Sequence, residues 1–244
     1  MIDNIINFFH SFSLNHHLDT YKFLVYIAGS FNFVIMPHRK AVAEKLLQIN
    51  AITLRPDQPY IWASGWKSPI YCDNRKALSF PHIRDFIKNE MNNVIFEKFQ
   101  EAEVIAGVAT AGIAWGAMVA DQLKLPYIYV RPKPKEHGLS NQIEGFYEEA
   151  KKVVVIEDLI STGKSSLQVC DVLKAAGLNV IGLISIFTYD FEIAKNAFKE
   201  ASIPYYSLTN YEILINFAIE KGIVDIPQKN TLLSWKQNPE NWLK

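Results

Sequence analysis

What this chain of 244 residues has little of narrows it first. It has two cysteines, Cys72 and Cys170, in no CxxC spacing. Neither a disulfide framework nor a cysteine-held zinc is expected, both thiols read as reduced, and Cys170 reads as a small hydrophobe at an apolar helical position. It has no excess of either charge, with 25 Lys+Arg against 25 Asp+Glu, so bulk attraction to nucleic acid is not expected. The apolar stretch from Phe23 to Met36 falls short of the roughly 20 residues a membrane helix needs and is interrupted by Gly29, Ser30 and Asn32. A basic start and a clear small-residue cleavage site are both missing, which argues against a signal peptide. Residues 1–36 are rich in aromatics, with Lys22 as their only Lys or Arg. They are expected either to be an extension without a catalytic part or to precede the natural start at Met36. The remainder, in a chain that is 49% hydrophobic and 20% charged, suits one globular α/β domain with a smaller appendage.

What is present is organised around Lys151 to Ser166, KKVVVIEDLISTGKSS. Val153, Val154, Val155 and Ile156 form an unbroken β-branched run, the pattern of a strand buried on both faces. Glu157 and Asp158 come next, where such a strand leaves its sheet, and open α/β sheets bind ligands outside the carboxyl ends of their strands. Leu159, Ile160, Ser161, Thr162, Gly163, Lys164 and Ser165 then lead through a polar turn into a helical pattern. Gly163-Lys164-Ser165 looks like the tail of a nucleotide-triphosphate loop, but the first glycine that loop requires falls on Asp158, where a carboxylate would line the polyphosphate cradle. Two adjacent carboxylates accept hydrogen bonds from a vicinal diol, and a hydroxyl-rich turn opening a helix donates to a phosphate about one sugar length away. Together they can hold a ribose 5-phosphate by both ends.

The string VVVIEDLISTGKSS is similar to the phosphoribosyl pyrophosphate signature of the type I phosphoribosyltransferases. Lys164 replaces the small residue expected there and adds a positive charge beside a phosphate. The resemblance implies that Glu157, Asp158 and the turn from Leu159 to Ser165 bind the pyrophosphorylated sugar, Asp158 being placed among the catalytic residues.

Three further stretches refine this. After an amphipathic helix expected over 38–50, Trp62 to Arg75 reads as a hairpin-like cover, strand-like at both ends with a Gly/Pro turn between. It resembles the N-terminal hood of the orotate phosphoribosyltransferases, which would place Tyr71 and Cys72 against a pyrimidine, with the ring face of Tyr71 available for stacking. Ala63 stands where the enteric branch of that family has a lysine. Past a helical segment over 80–99, Val104 to Ile113 reads as a buried strand ending in a tight small-residue turn, and in the family that turn, Thr110, Ala111 and Gly112, faces pyrophosphate. A strand over 125–130 then gives way to a stretch over 131–145 in which prolines alternate with cations, so a long exposed loop is expected. Cations closing over departing pyrophosphate stabilise the transition state more than the ground state. The resemblance implies that Arg131, Lys135 and His137 bind the substrate, with Lys135 and then His137 as catalytic groups.

The expected fold is α/β, a type I phosphoribosyltransferase fold with a mostly parallel central sheet of about five strands flanked by helices under a small N-terminal hood. Residues 37–75 would form the hood, 76–208 the core, and 209–244 a helix and tail packed on the hood. The implied reaction joins orotate to the 5-phosphoribosyl group of phosphoribosyl pyrophosphate, giving orotidine 5′-monophosphate and pyrophosphate in pyrimidine (UMP) biosynthesis. Mg2+ is implied because pyrophosphate must be neutralised, and it would be carried mainly by the substrate. The family also implies a cytoplasmic homodimer that shares the basic loop across its interface, with no nucleic-acid or membrane partner. Ser161, backbone N–H groups near Lys67, or Arg75 can receive the orotate carboxylate. A purine phosphoribosyltransferase and a non-enzymatic sensor of the same sugar are the alternatives.

Overall fold

The structure, a computed structural model, describes residues 39–62, 65–133 and 142–242, all within one compact unit of residues 36–244. In chain order its principal elements are α1 (Arg39–Gln48), β1 (Ile52–Leu54), β2 (Tyr60–Ile61), β3 (Lys67–Ser68), β4 (Ile70–Cys72), a 3-10 helix (Asn74–Ser79), α2 (Pro81–Lys98), β5 (Val104–Val108), α3 (Ala111–Leu123) and β6 (Tyr127–Val130). They continue with β7 (Ile143–Glu144), β8 (Lys152–Ile160), α4 (Lys164–Ala175), β9 (Asn179–Thr188), α5 (Glu192–Glu200), β10 (Tyr205–Asn210), α6 (Tyr211–Glu220) and α7 (Ile226–Gln237).

The main sheet has six strands in the order β10-β9-β8-β5-β6-β7. Every pairing in it is parallel except that of β6 with β7. The mostly parallel α/β architecture is therefore as expected. The sixth strand is an addition: β7 turns the end of the proline- and cation-rich stretch back along β6, pairing Tyr129 with Glu144 and Val130 with Ile143. Two residues are too few to show a period of alternation, which is why Ile143 and Glu144 read as loop in the sequence.

β8 is the sheet's centre. Val153 and Val155 pack into one hydrophobic cluster with Val169, Cys170 and Leu173 of α4 and with Phe198 of α5. Val154 and Ile156 pack into another with residues of α1, α2, α3, α6 and α7. Consecutive side chains of a strand point to opposite faces, so this unbroken apolar run is what a sheet covered on both sides requires.

The hood consists of two small antiparallel sheets, β1 with β4 and β2 with β3. It is fastened by α7, whose start is a reciprocal cap: Asp225 accepts the Gln228 N–H at 2.8 Å and the Gln228 side chain accepts the Asp225 N–H at 3.1 Å. From α7, Trp235 donates its indole N–H to the Lys67 carbonyl at 3.1 Å and sits edge-on to Trp62 with ring centroids 5.7 Å apart.

Candidate active site

The site follows from where strands end. β5 pairs with β8 only as far as Gly107 opposite Ile156, whereas β8 continues beside β9 through Glu157 to Ile160, which lies opposite Thr188. The acids thus lie within the strand rather than just past it. β8 stays paired with β9 through this stretch and has lost β5 on the other side, so the acids stand at the carboxyl edge of the sheet, where open α/β sheets bind their ligands.

The turn after β5 approaches this edge closely. Thr110 is exposed and Ala111 half-buried. A Cβ on Gly112 would lie 2.4 Å from the Ile156 carbonyl oxygen, so only glycine lets the start of α3 approach β8 beside its acids. The Ala109–Thr110 peptide is cis.

Glu157 is buried at 6% exposure and Asp158 is partly exposed. Glu157 curls back so that one carboxyl oxygen accepts the Asp158 N–H at 3.0 Å, while the Ser166 hydroxyl of α4 donates to the other at 3.4 Å. Burial, and then the negative charge of Asp158, hold the Glu157 carboxyl well above the usual carboxylate range. Burial also raises Asp158, against the pull of its hydrogen bond to Glu157 and of the Arg75 guanidinium. The two carboxyls therefore share a proton more readily than isolated acids do, and they remain good acceptors for sugar hydroxyls.

After β8 the chain turns through Ser161 and Thr162, both half-buried, to Gly163 at φ +80°, which caps α4; Lys164 and Ser165 are exposed. Gly163 is fixed by its conformation and by space, since a Cβ would come within 2.9 Å of the Phe198 ring. The first helical bond of α4 joins the Leu167 N–H to the Gly163 carbonyl at 2.9 Å. The N–H groups of Lys164, Ser165 and Ser166 thus precede the helical ladder, the arrangement that favours an anion. Leu159 is half-buried beside the main cluster, and Ile160 is buried on the opposite face.

On the hood side Tyr71 is exposed and lies 5.5 Å from Tyr60, centroid to centroid. The Cys72 thiol donates to the Asn74 side-chain carbonyl at 3.3 Å, and burial pushes its ionisation well above the ordinary thiol value. Asn74, fully buried, donates in turn to the Asp158 carbonyl at 2.8 Å. This asparagine physically joins the hood strand to the acid-bearing strand. It carried no assignment from sequence, because its bond spans 84 positions and no local pattern marks it. Arg75 is mostly exposed and pairs with Asp73 at 2.6 Å.

Arg131 stands where the basic loop leaves β6. Its N–H donates to the Gln142 carbonyl at 2.9 Å, the Gln142 amide returns to the Arg131 carbonyl at 3.2 Å, and its guanidinium lies 3.7 Å from Glu144. Both ends of the loop are thus pinned to the sheet. Lys135 and His137 lie outside the described residues, as do Ala63 and residues 1–36.

Comparisons with known proteins give the family. The family model for the phosphoribosyl transferase domain matches residues 75–220. The orotate phosphoribosyltransferase of Bacteroides fragilis is 50% identical over 200 residues, which cover 82% of this chain and 94% of that protein. The Bacillus subtilis enzyme of the same name is 51% identical over 208 residues, covering 84% and 96% respectively. The crystal structure of orotate phosphoribosyltransferase from Aeropyrum pernix superimposes with a TM-score of 0.66 at 26% identity, over 75% of this chain and 99% of that one.

Proposed function

This chain belongs to the orotate phosphoribosyltransferases of the phosphoribosyl transferase family, and from that premise we infer the reaction and the part each residue plays in it. The enzyme transfers the 5-phosphoribosyl group of phosphoribosyl pyrophosphate to orotate, releasing pyrophosphate and forming orotidine 5′-monophosphate for pyrimidine biosynthesis. The observation that carries this reading is the Asn74 bridge to the Asp158 carbonyl, which ties the hood segment bearing Tyr71 and Cys72 to the strand bearing carboxyls suited to ribose hydroxyls.

In our reading Glu157 and Asp158 accept the 2- and 3-hydroxyls of the ribose. The turn from Ser161 to Ser165 takes the 5-phosphate on its N–H groups and hydroxyls, with Lys164 adding positive charge. Tyr71 stacks on the base, the neutral Cys72 thiol forms part of the wall, and backbone groups of Thr110 to Gly112 face the pyrophosphate. N1 of orotate bonds to C1 of the ribose as the bond to pyrophosphate breaks, and the proton that N1 gives up passes to the departing pyrophosphate. The sugar passes through an oxocarbenium-like state, and Arg131, Lys135 and His137 neutralise the departing oxygens.

Among the described residues no group of three or more His, Cys, Asp or Glu side chains is placed to hold a metal ion. Mg2+ would be carried mainly by the substrate, with Glu157 and Asp158 as the carboxyls that could help hold it, and it would offset pyrophosphate charge. A homodimer sharing the basic loop belongs to the same proposal. So does a reducing cytoplasmic setting, which suits the free thiols of Cys72 and Cys170. No helix among the described residues is long and apolar enough to cross a membrane.

Orotate, uracil, adenine and hypoxanthine, each supplied with phosphoribosyl pyrophosphate and Mg2+, test the assignment side by side. Orotate should be the substrate consumed; turnover of a purine with none of orotate would overturn it.

A further inference from the structure

Tyr127 opens β6, and its hydroxyl donates to the carbonyl of Ile113 at 2.7 Å. Ile113 lies in the first turn of α3, directly after the turn Thr110 to Gly112, and its own N–H donates back to the Thr110 carbonyl at 3.3 Å. Ile113 is thus clamped through both of its backbone polar groups, one to the turn and one to the sheet. On the other flank of the turn, the Ala109 N–H donates to the carbonyl of Val130, the last residue of β6, at 3.0 Å. Both flanks are therefore tied to β6, the strand that leads into the basic loop at Arg131.

The phenol is seated where only glycines leave it room. A Cβ on Gly107 of β5 would lie 2.6 Å from the Tyr127 hydroxyl oxygen, and one on Gly116 of α3 would lie 2.8 Å from Cε2 of its ring. The ring also stacks against Tyr129, with centroids 6.5 Å apart. A ring wedged in such a notch has its C–O bond aimed in one direction, here at the start of α3. Burial, and then the neighbouring Tyr129 phenol, hold its ionisation above the ordinary phenol value, so it remains a donor at neutral pH.

We propose that Tyr127 is a positioning residue for pyrophosphate: through Ile113, its hydroxyl holds the turn Thr110 to Gly112 with its N–H groups facing the leaving group. The assignment rests on the reading of that turn given above. Backbone N–H groups stabilise a developing anion when their direction is fixed before the charge appears. The N–H groups at a helix start have no partners within the helix, so the fixing must come from outside it, and β6 supplies it on both flanks. The same strand delivers Arg131, so one element sets the turn and the first cation of the loop.

The substitution Tyr127→Phe in the full-length protein keeps the ring in its notch and removes only the donor. The KM for phosphoribosyl pyrophosphate, and the KM for pyrophosphate in the reverse reaction, should each rise about threefold to tenfold, as for loss of one neutral hydrogen bond. Orotidine 5′-monophosphate carries the base, the sugar and the 5-phosphate but no pyrophosphate. Its dissociation constant, read by calorimetry, should be unchanged, as should the KM for orotate. A merely structural role would weaken pyrophosphate and orotidine 5′-monophosphate together. Equal losses for those two ligands, or an unchanged pyrophosphate KM, would overturn the proposal. If the unsubstituted protein does not turn over orotate at all, the functional reading fails first; if it does, and Tyr127→Phe uses pyrophosphate as well as the parent, only the role of Tyr127 fails.

Discussion

Glu157 and Asp158 concentrate the electrostatic character of the site. A carboxyl whose ionisation in the folded protein lies above its unfolded value binds more protons folded than unfolded, so stability falls as pH rises. For Glu157 this decline begins near the ordinary value of 4.5 and continues upward to its raised folded value. Glu157→Gln removes that contribution while keeping a side chain able to accept the Ser166 hydroxyl. The substrate-free variant should therefore lose less thermal stability than the parent as pH is raised from about 4.5 toward neutrality, although its activity falls. Thermal midpoints of the two proteins across that window provide the check, and parallel curves would contradict the coupling. The comparison is between variants, so Glu103, whose ionisation is lowered first by the Lys152 N–H and then by Lys151, and the exposed Glu192 and Glu220, lowered by lysine partners, cancel.

At the scale of elements, the proposed site offers each end of the sugar a different kind of structure. The phosphate turn is rigid, because Gly163 is wedged against Phe198 and the first turn of α4 follows at once. The described ends of the basic loop are held by the reciprocal bonds of Arg131 and Gln142 and the short pairing of β6 with β7. A rigid element contributes ground-state affinity, whereas a loop that closes over the leaving group contributes mainly to the transition state. Lys135→Ala should accordingly lower kcat by about a hundredfold or more, in the range of losses seen when a transition-state charge donor is removed, while the dissociation constant for phosphoribosyl pyrophosphate changes little. Rapid-quench turnover set beside equilibrium binding separates the two, and equal losses in both would remove the transition-state role. The loop was expected from its prolines and cations, and residues 134–141 lie outside the described ones. The strand that ends it was not legible, since its pairing partner lies outside any short window.

On the scale of the whole molecule, hood, sheet and C-terminal helix meet at one aromatic cluster of Trp62, Tyr189, Phe191, Tyr211 and Trp235. Trp235 is fully buried and reaches across 168 positions to the Lys67 carbonyl. Truncating it to Ala should destabilise the protein by about 3–5 kcal/mol, measured by urea unfolding. It should also raise the orotate KM more than that for phosphoribosyl pyrophosphate, because the hood is what loses its support. The sequence by itself determined what depends on a few neighbouring residues: the doubly buried strand from Val153 to Ile156, the acids that follow it, the turn at Gly163, and hence the sugar-phosphate chemistry. Backbone conformation and strand burial leave their mark within a window of about ten residues. Only the tertiary structure decided that the acids stay within β8 after β5 has ended, that Asn74 ties the hood to Asp158, and that Tyr189 is caged by Trp62, Phe191 and Trp235. Those features arise from contacts between segments far apart in the chain, and a side chain's type does not specify which distant carbonyl or ring it will meet.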